Sequence, residues 1–234
     1  MATEDERALT PLARSRPESG PHSVHHPHVS GADPNYSVLA INPIRLSGPW
    51  SEGFALDVHT TGSQYLGDDE YGHPRYETTR SPTGELLYEL KYHSDKSVAP
   101  NLCEAAADFV RSRRWEPNLV IPTPPSRPGR RFQPVPLLAD GIARLLGCSC
   151  CEDCVVKFKE TPELKSIHDY QQRLEHLRDA YAVATEKTQN HDILLVDDLY
   201  RSGATLEAVT NALRSKGSVR KVFALTLTRT RSNR

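Results

Sequence analysis

Residues 193–205 constrain this 234-residue chain more than any other stretch. Ile193, Leu194, Leu195 and Val196 read as a buried central strand. Asp197 and Asp198 stand at its carboxyl end, and residues 199–204 lead directly into a helix that starts at Thr205. Adjacent carboxylates that close a buried strand are costly unless they face a cavity. In an open α/β sheet the carboxyl ends of the strands are where ligands bind. The following helix presents unpaired N–H groups and a partial positive charge, which suit a phosphate. Gly203 lets backbone approach that phosphate, and Ser202 and Thr205 offer hydroxyl donors. Carboxylates at a strand end can accept hydrogen bonds from vicinal sugar hydroxyls. The spacing points to a sugar phosphate, with hydroxyls at the acids and phosphate in the loop. The bland alternative is a strand-to-helix turn with an incidental acid pair and a Ser or Thr cap.

Around this segment strands and helices alternate. A helix is expected over 84–92, with Leu86, Leu87 and Leu90 on one face. A second is expected from about 98 to 113, with Leu102, Ala105, Ala106, Phe109 and Val110 as its apolar stripe. Residues 119–121 read as a buried strand, 134–146 as a helix stopped by Gly147, and 155–158 as a strand. Residues 171–178 read as a helix and 181–183 as a short strand. The strand over 192–196, a helix over 205–216 closed by Gly217, and a strand over 222–227 complete the series. This alternation predicts an α/β fold with a mainly parallel central sheet flanked by helices over residues 81–234.

The first 80 residues read differently. Residues 1–35 are punctuated by Pro17, Pro21, Pro27 and Pro34, lack apolar periodicity, and predict a disordered leader. His22, His25, His26 and His28 are metal-ligand types but fit a solvated tail better. Residues 36–80 combine an apolar run at 38–41, an alternating run at 54–59 and many Gly and Pro turn signals. They predict a small β-rich cap whose Asp57, His59 and Thr60 face either a ligand or solvent.

The 193–205 stretch resembles the phosphoribosyl-diphosphate (PRPP) signature of type I phosphoribosyltransferases: four apolar residues, two acids, then a loop ending S-G-x-T. Three further stretches resemble the ComF family in order. These are 86–92 (LLYELKY), 121–125 (IPTPP) followed by Arg127, Arg130, Arg131, Phe132 and Gln133, and 159–163 (KETPE) with Arg173, Ala180 and Tyr181. The resemblance covers about residues 84–230 and implies the type I phosphoribosyltransferase fold. By it, Asp197 and Asp198 bind the ribose hydroxyls and Arg201, Ser202, Gly203, Ala204 and Thr205 hold the 5′-phosphate. Thr123, Pro124, Pro125, Ser126 and Arg127 receive pyrophosphate, with Arg127, Arg130 or Arg131 adding charge in a geometry that suits phosphate oxygens. PRPP is the implied small-molecule partner, Mg²⁺ arrives bound to it, and a homo-oligomer is expected. Residues 159–178 are polar and are expected to lie above the sheet edge as a hood, with Lys159, Lys165, His168 and Tyr170 either as its ligand contacts or as plain surface residues. The resemblance departs at Tyr200 and Arg201, which stand where small residues are usual, and in the absence of a cysteine module at the start. The acceptor pocket is not recognisable, so two functions compete: phosphoribosyl transfer, or a non-catalytic regulatory or DNA-uptake role that keeps sugar-phosphate binding.

Composition narrows the remainder. A net charge of −1 gives no global basic field for nucleic acid, and Arg229, Arg231 and Arg234 read as a solvated basic tail. No run approaches the ~20 apolar residues of a membrane span, and the start lacks a basic region followed by an apolar one. Four of the five cysteines crowd at 148, 150, 151 and 154, too close together to staple distant parts of a fold. They read as reduced thiols rather than metal ligands, and hence as a cytoplasmic protein.

Overall fold

The computed structural model describes residues 39–125, 132–159, 169–177 and 179–231. The chain divides into two compact units, 1–36 and 37–234. The first, and with it the expectation of a leader, lies outside the described residues; every element described below belongs to the second.

In chain order the strands and helices are β1 (Ile44–Arg45), β2 (Glu52–Val58), β3 (Thr60–Asp68), β4 (Pro74–Arg80) and α1 (Pro82–Tyr88). A π-helical turn, Glu89–His93, extends α1, and a short 3₁₀ turn, Lys96–Val98, leads into α2 (Ala99–Ser112). Then come β5 (Leu119–Pro122), α3 (Pro134–Leu146), β6 (Ser149–Cys150), β7 (Val155–Lys157), α4 (Tyr170–Leu177) and β8 (Tyr181–Val183). The chain continues with α5 (Thr185–Thr188), β9 (Asp192–Tyr200), α6 (Ala204–Lys216) and β10 (Lys221–Arg229). Prolines open α1 and α3, where the missing N–H would have no helical partner in any case. Gly147 closes α3 in the left-handed conformation, φ 71°.

Six strands form the central sheet in the order β1-β2-β10-β9-β5-β6, parallel throughout except for the β1–β2 pair. One side of the sheet is covered through Leu87, Leu90, Leu102, Leu138 and Ile142, which pack on Leu56, Leu194, Val196, Leu225 and Leu227. The other is covered through Leu177, Leu206, Val209 and Leu213, which pack on Ile121, Ile193, Leu195, Val222 and Ala224. Both faces of β9 are therefore dry, which is why residues 193–196 are apolar without alternation. The α/β, mainly parallel architecture expected from the sequence is the one observed.

Three features differ from expectation. First, β1 and β2 belong to the central sheet, and among residues 39–80 only β3 and β4 stand apart, as an antiparallel pair. β2 lies parallel to β10 with Ala55 and Leu56 completely buried: Leu56 packs in the cluster of α1 and α2, and Ala55 in the one that holds Leu46 and Trp50. Second, β7 pairs antiparallel with β8 outside the central sheet. Third, β9 continues past Val196 to Tyr200, since β10 offers it a partner as far as Arg229. As expected, α6 closes at Gly217, whose φ is −89°; the left-handed residue is the next one, Ser218. A Cβ at 217 would come within 2.6 Å of the Leu213 carbonyl oxygen, so close approach is what requires glycine there.

The reading of all cysteines as reduced thiols is corrected at two of them. Cys151 and Cys154 form a disulfide across a turn that brings their Cα atoms to 5.5 Å, within bridging distance. The bond spans three residues and staples nothing distant, but the compartment inferred from free thiols loses its premise. Burial pushes the Cys103 and Cys150 thiols up to about 11, so both stay protonated at neutral pH. The basic tail is also corrected. Arg229 is the last residue of β10, and Arg231 donates to the Thr61 carbonyl. Arg234 lies outside the described residues. Among the described residues no helix is long and apolar enough to cross a membrane.

Helix α1 approaches the sheet closely at the end of β2. The Ser81 hydroxyl accepts from the Gly84 N–H (3.0 Å) and donates to the Val58 carbonyl (2.5 Å), so one side chain caps the helix and ties it to that strand. A Cβ at Gly84 would lie 2.2 Å from the His59 carbonyl oxygen. Gly84→Ala is therefore expected to push α1 off the sheet and destabilise the protein by roughly 1–3 kcal/mol, the usual cost of overpacking, as read from urea denaturation. Unaltered stability would mean that the helix contact is looser than described.

Candidate functional site

The strand order reverses between β5 and β9. From β5 the chain runs through α3 to β6 on one side; from β9 it runs through α6 to β10 on the other. Helices diverge from such a reversal and leave a crevice at the carboxyl ends of the two strands. Asp197 and Asp198 on β9 and Thr123 just after β5 lie at this point, while α6 starts four residues beyond Tyr200.

Because β9 continues through them, the two acids lie on opposite faces of one strand. Asp197 follows the parity of Ile193 and Leu195, on the face covered by α6. Asp198 follows Leu194 and Val196, on the face covered by α1, α2 and α3. The Thr123 N–H donates to the Val196 carbonyl at 2.8 Å, and its hydroxyl donates to the Asp197 carboxylate. The Asp198 N–H also donates to Asp197, at 2.9 Å. Asp198 is gripped from the other side by the Lys91 ammonium, Nζ to Oδ2 at 2.5 Å.

The charges are unevenly tuned. Burial, and then the neighbouring Asp198, push the Asp197 carboxyl up to about 7, against the opposing pull of Thr123 and Lys91. Burial lowers the His59 imidazole, helped by Arg80, Lys91 and Arg201, while Asp198 opposes. His59 Nδ1 lies 3.2 Å from the Thr228 hydroxyl, which donates to the Asp198 carbonyl at 3.3 Å. The buried Tyr181 is raised by its burial and by the nearby charge of Asp197.

The loop after β9 has the conformation an anion cradle needs. Gly203 adopts φ 83° and sits at the N-cap of α6, where it presents no side chain to the first-turn N–H groups. The Ser202 hydroxyl lies 3.5 Å from the Ala204 N–H. Arg201 is exposed, Ser202, Gly203 and Thr205 are half-buried, and Ala204 is buried. Tyr200 lies against Gly203, so that a Cβ there would come within 2.6 Å of its hydroxyl; the Arg229 guanidinium lies 6.0 Å from the centre of the same ring. Glu207, in the first turn of α6, accepts a hydrogen bond from Tyr170, the one proposed hood contact found at this loop. Lys159 is exposed, while Lys165 and His168 lie outside the described residues.

Of the residues expected to receive pyrophosphate, Thr123 is buried, Pro124 half-buried and Pro125 exposed; Ser126, Arg127, Arg130 and Arg131 lie outside the described residues. Reasoning from sequence missed Lys91, although a signal existed. It stands four residues after the buried Leu87, on the same helical face, where a charge needs a partner. Thr228 gave no such signal, being one more residue of an apolar strand.

No protein-family model matches this sequence, and no curated protein matches it. Similar solved structures include an adenine phosphoribosyltransferase with 11% identity and TM-score 0.40, covering 70% of this chain and 85% of that one. The adenine phosphoribosyltransferase of Thermoanaerobacter pseudethanolicus is 15% identical with TM-score 0.39, covering 71% and 95%. That of Trypanosoma brucei, in complex with AMP, pyrophosphate and ribose-5-phosphate, is 11% identical with TM-score 0.40, covering 79% and 73%. Likenesses this distant do not define an activity.

The Asp197 shift has a sign that can be checked. An unfolded aspartate titrates near ~3.9, and the folded group near about 7. The unfolded state therefore binds fewer protons between those values, and stability falls as pH rises through the window. Asp197→Asn keeps an acceptor for Thr123 and removes the charge. The variant is expected to be more stable than wild type above pH 7, by an amount on the order of 1 kcal/mol or more. The advantage should vanish below about pH 4, where the unfolded aspartate is itself protonated. Urea titrations that run parallel for the two proteins across this range would contradict the assignment.

Proposed function

We propose that this chain binds PRPP at the β5–β9 reversal and transfers its phosphoribosyl group to an acceptor, releasing pyrophosphate. One observation carries the reading: within residues 197–203 the chain places two carboxylates at the reversal and a left-handed glycine at the start of the next helix. Oxygen acceptors for vicinal hydroxyls and N–H donors for a phosphate are thereby held a short span apart. In this reading Asp197 and Asp198 accept from the ribose hydroxyls, and residues 201–205 cradle the 5′-phosphate. Residues 123–127 with Arg130 and Arg131 receive the pyrophosphate.

The acid pair also fits Mg²⁺, a hard cation that takes carboxylate oxygens. One oxygen of Asp197 and one of Asp198 are already engaged, so the ion would be held chiefly by diphosphate and water oxygens, with Asp197 and Asp198 beside it. When bound it supplies charge neutralisation to the departing diphosphate. The chain's own residues do the rest. Thr123 and Lys91 keep the two carboxylates in place, and burial around Asp197 strengthens each polar contact to the sugar. The half-buried Tyr170, tied to Glu207, helps exclude water from the sugar's reacting carbon. A homo-oligomer and a cytoplasmic location accompany this reading.

A second reading is a sugar-phosphate binder without transferase activity, in a regulatory or DNA-uptake role. What favours it is Tyr200, whose ring crowds the cradle at Gly203.

Calorimetric titration with PRPP and Mg²⁺ tests the shared claim. Binding by wild type is expected, and Asp197→Asn and Asp198→Asn should each weaken it about tenfold or more, the worth of a hydrogen bond to a charged group. Undiminished affinity in both variants would sink the site. Pyrophosphate release from PRPP across a panel of bases and amines separates the two readings: release supports transfer, and binding without release supports the second.

A further inference from the structure

We propose that Lys91 is a positioning residue of this site, holding Asp198 so that one carboxylate oxygen is fixed and the other stays open to the sugar. The inference rests on the sugar-phosphate reading and adds to it a residue from outside the loops that reading uses.

The contact is not a surface ion pair. Lys91 Nζ and Asp198 Oδ2 are separated by 2.5 Å, with side chains only 20% and 14% exposed, and the two residues stand 107 positions apart in the chain. Exposed pairs of this type contribute little and need no explanation. A pair largely removed from water costs desolvation of both ions and persists only where the geometry repays it. Lys91 also sits at the centre of the π-helical turn Glu89–His93. Such one-turn widenings are rare and concentrate at functional sites. Anchoring of the helix does not require the lysine, because Ser81, Gly84, Leu87 and Leu90 already hold α1 to the sheet.

The ammonium acts on more than its partner. It is among the charges that favour ionised Asp197 and neutral His59. The groups around this centre come from several elements: Asp197 and Asp198 on β9, Thr123 after β5, His59 after β2, Tyr181 on β8, Arg80 on β4 and Arg201 after β9. Among the described residues Lys91 is the cation paired with Asp198. Without it, two neighbouring carboxylates would share a half-buried space with Thr123 as the remaining side-chain donor to Asp197, and the Asp198 side chain would be free to turn.

The test compares Lys91→Gln, Lys91→Met and Lys91→Arg with wild type by calorimetric titration with PRPP and Mg²⁺ from pH 6 to 9, after thermal unfolding confirms that each protein is folded. Gln and Met are expected to lower affinity at least tenfold at neutral pH. Arg should restore affinity to within a few-fold. Wild-type binding matched by Gln and Met would overturn the role of Lys91 while leaving the site intact. A loss of equal size in all three variants, with no rescue by Arg, would make Lys91 a structural strut and equally overturn it. Wild type that fails to bind PRPP would instead overturn the sugar-phosphate reading, and this inference with it.

Discussion

The parallel seating of β9 between β10 and β5 is the constraint that creates the site. Its apolar residues are buried on both faces, so its position cannot slip without exposing or burying the wrong side chains. The two strands beside it are reached by chain running in opposite directions around the sheet, and the crevice opens there because the helices part. Asp197, Asp198 and Thr123 meet at this place through backbone pairing, before any side-chain contact is considered.

Alternation along the strand then divides the two acids. Asp197 turns toward the α6 side, where burial and a like charge make it reluctant to ionise; Asp198 turns toward the α1 side, where Lys91 meets it. Identical neighbours in the sequence thus occupy unlike environments, which is how paired carboxylates acquire different tasks. The same strand pairing carries β10 to Arg229, so that Arg229 backs Tyr200 and Thr228 links His59 to the Asp198 backbone. These contacts come from residues far apart in the chain and similar to nothing but ordinary strand residues when read in order.

Away from the site, the β3–β4 pair exposes Tyr65, Leu66, Tyr71 and Tyr76, with the Tyr65 and Tyr76 rings 5.6 Å apart across the two strands. Cross-strand aromatic pairing accounts for the register there. The short disulfide between Cys151 and Cys154 lies in the turn that carries the chain from β6, at the edge of the central sheet, to the separate β7–β8 pair. Cys154 and Val155 are buried in the same apolar cluster as Tyr181, which feels the charge of Asp197.

Much of this was legible in order along the chain. The buried strand at 193–196, the helix stop at Gly147, the α2 stripe and the strand-to-helix turn at 197–205 are local patterns, set by side-chain period and by backbone freedom at glycine. What escaped was set by partners. β2 reads as half-buried until β10 and the flanking helices cover it, and β9 ends at Val196 until β10 extends it. Lys91 looks like a solvated helix residue until Asp198 arrives from 107 residues away. The sequence alone determined the strand, the acid pair and the glycine-led helix, because short-range sterics and hydrophobic period need no distant partner. Only the tertiary structure decided that the two acids face opposite ways and that one of them is held by a lysine, because strand pairing and long-range electrostatics depend on which residues the fold brings together.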